Sequence, residues 1–197
     1  MPKVPACSTC NNEKSKLEHY LASVLPFGGR IAQSSDILNQ LVPARLQKNQ
    51  KLHQTLADGQ CREIVEEDGQ LGEVMVVPFE SEKLTRLLEL VAKGLVAHHA
   101  PSPLPEGVYS ACGMVTVAGE EAFAPYFAMN GEKYAGSPGG GVFEYEGVQS
   151  AQNPATTIWR FRVYGGLKAI GDPAAPDEVA TTIVAITNGK PFPNPFI

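Results

Sequence analysis

The stretch SEKLTRLLELVAKGL, residues 81–95, carries the most regular hydrophobic pattern in the chain. Its large aliphatic residues recur three or four positions apart, which places them on one stripe of an α-helix: Leu84, Leu87, Leu88, Val91 and Leu95. Ser81 belongs to the residue types that favour the start of a helix. We therefore expect a long amphipathic helix here, and we expect it to be the central helix of the core.

Strand-like runs lie on both sides of this helix. Before it, residues 61–66 and 71–77 are rich in β-branched residues and are separated by Asp68-Gly69, a pair that favours a tight hairpin turn. After it, residues 108–117 are expected to form a strand and residues 120–129 a short helix. Further strands are expected at residues 142–149, 156–164 and 179–187. We expect these last three strands to form an antiparallel sheet backed by the central helix.

The first 59 residues follow a helical pattern. Leu17, Tyr20, Leu21 and Val24 lie on one face of a helix that Pro26 and Gly28-Gly29 should end. A second helix is expected to be capped by Ser34-Ser35-Asp36, and a third to run from Pro43 to Gly59. The predicted fold class is α+β, with a helical N-terminal region (residues 1–59) followed by an α+β domain (residues 60–197).

The composition limits the possible classes of protein. A chain of 197 residues with 43% hydrophobic content can bury one good core. No apolar run approaches the roughly 20 residues that a membrane-spanning helix needs, and the N-terminus does not resemble a secretory signal, so we expect a cytoplasmic protein without a membrane partner. In a reducing compartment the four cysteines should be thiols or metal ligands, with Cys61 and Cys112 expected as small buried residues.

Several well-known sites are not indicated by the sequence. The glycine-rich segment at residues 136–141 lacks the lysine and hydroxyl residue of a phosphate-binding loop, so we interpret it as a connector. No serine-hydrolase elbow or calcium-binding loop is found. The aromatic residues of the late strands are expected in the core rather than in a ligand groove: Phe143, Tyr145, Trp159 and Tyr164.

The charge is distributed unevenly. The whole chain has a net charge of −5. Residues 1–53 contain seven basic and three acidic residues, a net of +4, so the remainder carries −9. A basic front end on an acidic body is expected if only the front end approaches phosphate groups.

Cys7 and Cys10 form the one motif that points to a chemistry. A Cys-x-x-Cys spacing lets a tight turn aim both sulfur atoms at one ion, and it is the commonest half of a tetrahedral zinc site. The other two ligands would have to come from a set without a second closely spaced pair: His19, His53, Cys61, His98, His99 and Cys112.

The run Cys7-Ser8-Thr9-Cys10-Asn11-Asn12-Glu13-Lys14-Ser15 resembles the C-terminal part of the HNH endonuclease motif. In that family a zinc knuckle continues into the helix of a ββα-metal unit, and the resemblance extends over about residues 4–58. It implies that Asn11 matches the last letter of the signature, a ligand or orienter of the catalytic divalent ion, and that Lys14 lies near phosphate. The expected metal site comprises Cys7, Cys10, Asn11 and His19, with zinc as a structural ion. DNA or RNA is expected to contact Lys14, Lys16, Lys48 and Lys51.

The earlier half of the family's motif has no counterpart among the six residues before Cys7. That half carries the histidine that acts as general base, so no catalytic residue is assigned. Three explanations stay open: a relative that binds nucleic acid without cutting it, the truncated reading frame of an active metal-dependent nuclease, or a missing half supplied by another polypeptide. A fourth treats the Cys-x-x-Cys as coincidental. A rival hypothesis from another class is a non-enzymatic interaction protein, in which the acidic domain binds or inhibits a partner protein and the front end serves as a docking arm.

Overall fold

The computed structural model describes residues 4, 6–67, 69–99, 104, 107–167, 169–170, 179–180 and 182–196. The predicted connector at Pro101, Pro103 and Pro105 lies outside these residues. Among the helices that the structure describes, none is both long enough and apolar enough to cross a lipid bilayer.

The N-terminal region is helical, as predicted. Helix α1 begins directly after Cys7 and is followed by a short 3-10 turn, and three shorter helices complete the region. The bounds are α1 Ser8–Val24, the 3-10 turn Leu25–Gly28, α2 Ala32–Gln40, α3 Val42–Lys48 and α4 Gln50–Gly59.

Two predicted helix boundaries in this region are wrong. Helix α2 starts before the expected cap, so Ser34 lies inside the helix and is buried. The helix expected from Pro43 to Gly59 is divided at Asn49, whose backbone is not helical. The Asn49 side chain accepts a hydrogen bond from the Leu52 amide at 3.1 Å and so caps α4. A side chain that can cap a new helix therefore overrode the continuous apolar pattern.

The predicted hairpin and central helix are confirmed. Strand β1, Cys61–Glu67, pairs antiparallel with β2, Gln70–Val76. Helix α5 spans Ser81–His99, and Leu84, Leu88, Val91 and Leu95 of the predicted stripe are buried. Among the described residues, no other helix or strand packs extensively against the hairpin.

The main sheet has five antiparallel strands in the order β3-β9-β6-β5-β4. The last strand in sequence, β9, is thus inserted between β3 and β6. The strands are β3 Tyr109–Val115, β4 Gly131–Gly136, β5 Phe143–Ser150, β6 Thr157–Val163 and β9 Thr182–Asn188, with helix α6, Val117–Phe127, between β3 and β4. Two further short strands, β7 Ala169–Ile170 and β8 Val179–Ala180, pair with each other.

Strand β4 was not predicted, because its sequence Gly-Glu-Lys-Tyr-Ala-Gly has no run of β-branched residues. It is an edge strand that pairs with β5 alone. Just beyond it, Gly139, Gly140 and Gly141 have positive φ angles, which a glycine adopts without steric cost. The segment is therefore a turn, in agreement with its interpretation as a connector.

The two faces of the main sheet are covered by different elements. One hydrophobic cluster joins α5 and the N-terminal helices to the sheet around Trp159 and Phe161, which are fully buried. A smaller cluster joins Phe123 of α6 to Ile158 and Val184, with Phe196 of the C-terminal segment packed against it. Of the late-strand aromatic residues, Trp159 and Tyr164 are buried as expected, whereas Phe143 and Tyr145 are only partly buried and Tyr145 also lines a surface pocket. Of the two cysteines expected to be buried, Cys112 is buried but Cys61 is exposed on the hairpin.

Candidate metal-binding site

Cys7 is the residue that starts helix α1. Its backbone is extended, and its Sγ accepts a hydrogen bond from the Cys10 amide at 3.1 Å. Its carbonyl oxygen accepts a hydrogen bond from the Asn11 amide at 2.9 Å, which is the first hydrogen bond of the helix. The first amides of a helix have no partner within it, and here a sulfur atom takes the role that an oxygen of Ser or Asp usually has. The same bond fixes the position of the Cys7 sulfur relative to Cys10.

The two thiols influence each other's ionisation. Hydrogen bonding from the Cys10 side chain, followed by the Cys10 amide, lowers the pKa of Cys7. The same side-chain hydrogen bond raises the pKa of Cys10. A helix N-terminus also favours a thiolate, which is the form that binds metals. The lowered pKa therefore favours Cys7 as the first thiolate ligand, and an incoming cation would help to deprotonate Cys10.

Both sulfur-bearing residues and Asn11 are exposed, so this end of α1 is open to a ligand. The structure brings Cys7, Cys10 and Asn11 together in the first turn of one helix. The donor set fits half of a tetrahedral zinc site. Within the described parts of the chain, no three His, Cys, Asp or Glu side chains come together in a way that could hold a metal ion.

His19 lies far from the cysteine pair. It is exposed on the same helix, nine residues after Cys10, which corresponds to about 13 Å along the helix axis. A zinc ion bound by thiolates at about 2.3 Å does not reach that distance. The structure therefore does not bring His19 to the predicted site, and further ligands would have to come from elsewhere.

Helix α1 is fixed to the central helix next to the cysteine pair. Arg86 of α5 binds the Glu13 carboxylate with two nitrogen atoms, at 2.7 and 3.1 Å, and also contacts Glu89 at 3.2 Å. The guanidinium group lowers the pKa of Glu13. A bidentate pair restricts orientation as well as distance, so it sets the direction in which α1 presents its first turn.

A second anchor lies further along α1 at Tyr20. The Tyr20 hydroxyl accepts a hydrogen bond from the Glu80 amide at 3.0 Å, and the Lys83 ammonium lies 4.2 Å from the centre of the ring. Neither anchor is predicted by the sequence. Glu13 and Arg86 are 73 residues apart, and no local pattern links them.

The segment after α1 docks onto the sheet domain. The Arg30 amide donates to the Tyr164 carbonyl at 2.8 Å, and Gly29 forms a β-bridge with Leu167. A side chain at Gly29 would overlap Ser34 and Tyr164, so only glycine fits this approach. Tyr164 itself has a positive φ of 51°, which is uncommon for a bulky residue. This tight junction holds the C-terminal end of α1 against the domain that follows, and the Glu13–Arg86 pair holds the part near its start.

The predicted nucleic-acid-binding lysines lie on three helices. Lys14 and Lys16 belong to α1, Lys48 is the last residue of α3 and Lys51 is in the first turn of α4. Lys16, Lys48 and Lys51 are exposed, whereas Lys14 is half-buried and forms an ion pair with Glu18. With Glu13 paired to Arg86 and Glu18 paired to Lys14, two of the three acidic residues among residues 1–53 are already neutralised by partners.

Comparison of the chain with protein-family models, with curated proteins and with solved structures finds no match.

Proposed function

We propose that the helical region of residues 1–59 is a nucleic-acid-binding unit related to HNH endonucleases, in which Cys7 and Cys10 supply half of a structural zinc knuckle. The observation that carries the proposal is the placement of Cys7 as the cap of α1, with its sulfur bonded to the Cys10 amide. A Cys-x-x-Cys turn at a helix start can bring both sulfur atoms to one ion, as a knuckle requires. The resemblance of residues 7–15 to the family's motif supports the same assignment.

The chain is proposed to bind nucleic acid rather than to cut it by itself. Nuclease chemistry in this family requires a histidine as general base ahead of the knuckle, and all four histidines of the chain follow Cys10. Asn11 lies beside the cysteine pair, where the resemblance would make it a ligand or orienter of a catalytic divalent ion. Cleavage would in addition need a general base from another polypeptide or segment.

Zinc content tests the knuckle. We expect elemental analysis of the purified protein to find zinc in stoichiometric amount and to find only background in Cys10→Ser. Cys61→Ser is the matched control, because Cys61 is also exposed but, among the described residues, does not join the cysteine pair in a group that could hold a metal ion, and it should retain the metal. Absence of zinc from the wild-type protein, or its loss from Cys61→Ser alone, would contradict the assignment of Cys7 and Cys10.

Nucleic-acid binding is tested by its dependence on salt. Binding to a mixed-sequence DNA duplex should weaken as salt rises, and each lost phosphate contact should reduce the slope of log K against log salt by about 0.9. We expect a reduced slope when Lys14, Lys16, Lys48 and Lys51 are replaced by alanine. Replacing the exposed Lys133 and Lys190 of the acidic domain should leave it unchanged. Binding that is indifferent to salt and to the four lysines would exclude this function.

A second candidate is a module that contacts protein through residues 60–197. The observation that favours it is the β1–β2 hairpin, where Ile64, Leu71 and Met75 are exposed. Exposed aliphatic clusters of this kind mark protein-binding sites. If salt-dependent nucleic-acid binding is absent, this candidate becomes the leading one.

A further inference from the structure

The β1–β2 hairpin exposes large apolar side chains on one of its faces. Residues that are opposite each other in the register share a face, and Arg62↔Met75, Ile64↔Glu73 and Glu66↔Leu71 are three successive pairs on one face. On that face Ile64 is 77% exposed, Leu71 76% and Met75 55%. Folding of a single chain has therefore left three aliphatic side chains in water on one short ribbon.

The hairpin lacks the support that two-stranded ribbons usually need. Its sheet contains β1 and β2 alone, so the outer edge of β1 has no strand partner among the described residues. An isolated two-stranded ribbon is marginally stable in water, whereas further strands add backbone hydrogen bonds and side-chain contacts. An unpaired edge is also a template for pairing with another chain.

Strand β1 is complementary to itself in the antiparallel direction. Ile64 is the midpoint of the seven-residue strand Cys61–Glu67, so a two-fold axis at Ile64 pairs the whole strand with a second copy. This register places Ile64 opposite Ile64 and Arg62 of each copy opposite Glu66 of the other. The side chains of Arg62, Ile64 and Glu66 are all exposed. Directly opposed unlike charges on a sheet attract, and like charges repel.

The outer edge of β2 does not offer the same match. Its one charged residue is Glu73, at the midpoint of Gln70–Val76, so the fully overlapping register would place Glu73 opposite Glu73. Pairing of β1 with β2 of another copy would leave free edges at both ends and give open chains of molecules rather than a closed pair. Charge and closure therefore both favour the β1 edge.

We propose that two copies of this chain associate through the β1 edges to form a four-stranded antiparallel sheet, with Ile64 on the two-fold axis and two Arg62–Glu66 pairs beside it. Within each copy Arg62 already contacts Glu73 at 3.3 Å on the same face, so in the dimer it lies between two carboxylates. The association does not depend on the proposed zinc knuckle, because none of these residues belongs to the cysteine pair.

Charge reversal tests the register directly in the full-length protein. By sedimentation equilibrium we expect the wild type to form dimers, and we expect Arg62→Glu and Glu66→Arg each to weaken self-association by about tenfold or more, because each creates two like-charge pairs. An equimolar mixture of the two variants should restore dimers, since the two acidic side chains of one variant then lie opposite the two basic side chains of the other. The double variant R62E/E66R should also dimerise.

A cross-linking experiment tests the position of the two-fold axis. In a background with Cys7, Cys10 and Cys61 replaced by serine, Ile64→Cys should give a covalent dimer under mild oxidation. Glu73→Cys is the matched control on the same face of the neighbouring strand, and its sulfur atoms would be too far apart to join. A wild-type protein that stays monomeric through the submillimolar range overturns the proposal. So does a mixture of the two charge variants that associates no better than either variant alone.

Discussion

Cys7 shows how one residue can serve two physical roles at a helix start. Its sulfur accepts a hydrogen bond from the Cys10 amide in the first turn, and the Cys10 thiol, followed by that amide, lowers the pKa of Cys7. The thiols of a Cys-x-x-Cys at a helix N-terminus therefore differ in pKa from two isolated thiols. The buried Cys112 shows the opposite case, because burial raises the pKa of its thiol.

The ionisation of Cys7 leads to a prediction about alkylation. After treatment with a chelator, the rate of Cys7 modification by iodoacetamide should rise with pH around a midpoint that moves to higher pH in Cys10→Ala. The reason is that the variant removes the side-chain hydrogen bond that stabilises the Cys7 thiolate. Peptide mass spectrometry measures the rate, and Cys112 of the folded protein should stay unmodified as an internal control. An unchanged midpoint in Cys10→Ala would contradict the effect assigned to the Cys10 side chain, because the variant keeps the backbone amide bond to Cys7.

His99 should make stability depend on pH. Its ring stacks on Tyr134, its Nε2 lies 2.9 Å from the Tyr145 hydroxyl, and His98 is adjacent. Burial, and then the charge of His98, lower the pKa of His99 in the folded protein. The unfolded chain, with a histidine pKa of about 6.5, then binds the proton more tightly. The contribution of His99 is therefore fully present above that pH and is lost as the pH falls below it.

Urea unfolding at several pH values measures this effect. We expect the difference in unfolding free energy between the wild type and His99→Phe to shift in favour of the variant as the pH falls below about 6.5. Phenylalanine keeps a ring against Tyr134 but cannot be protonated. The variant His98→Ala, at an exposed residue, removes the neighbouring charge and so tests its effect on the pKa of His99. A difference that is constant across this range would show that His99 has the same proton affinity in both states.

At the scale of elements, the close approach of β5 and β6 depends on a glycine. Gly147 is paired with Trp159 in the register, and a Cβ atom at Gly147 would overlap the indole ring. Trp159 is fully buried and its Nε1 donates to the Thr157 hydroxyl at 3.0 Å, so the ring has little freedom to move aside. A glycine inside a strand weakens that strand locally, but Gly147 makes room for the largest side chain of the core.

Gly147→Ala is expected to destabilise the protein by about 1–3 kcal/mol, because overpacking forces neighbouring side chains from their preferred positions. The midpoint of urea unfolding, followed by Trp159 fluorescence, measures the change. Gly72→Ala is the matched control: it is also a strand glycine, but a Cβ there has nothing within 4 Å. If both variants unfold at the wild-type midpoint, the sheet accommodates the methyl group and the contact is looser than the structure indicates.

At the scale of the whole molecule, the two predicted domains share side chains in one core. Tyr20, Leu21 and Val24 of α1 belong to the same hydrophobic cluster as Leu84 and Leu88 of α5 and Trp159 of the sheet. The candidate metal site is thus mounted on a helix whose apolar face is buried against the acidic domain. We infer that the N-terminal helices and the sheet unfold together.

Leu21→Ala tests this cooperativity. Leu21 is 2% exposed, and truncating a buried leucine costs about 2–5 kcal/mol. We expect the unfolding transition of Trp159, the single tryptophan of the chain, to shift by that amount although the substitution is on a different element. Leu41→Ala makes the same chemical change at a residue that is 47% exposed, and it should shift the transition by well under about 1 kcal/mol. A loss of helical signal ahead of an unshifted Trp159 transition would show two independent units.

The sequence by itself determined the elements whose signals are local. Helix α5 followed from a stripe with helical period, the hairpin from two β-branched runs around Asp68-Gly69, and the candidate site from the spacing of Cys7 and Cys10. Such patterns show which side of an element is apolar and where a turn is favoured. They were less reliable at Asn49, where a capping side chain divided a helix, and at β4, where an edge strand lacks the usual residues.

Only the tertiary structure decided which partner covers each face. It placed β9 between β3 and β6, joined Glu13 to Arg86 across 73 residues, and separated His19 from the cysteine pair along one helix. It also left Ile64 on the hairpin in water although its strand pattern resembles those of the core strands. The physical reason is that burial depends on contacts between segments distant in sequence, and a local pattern reports a preference for a partner without identifying that partner.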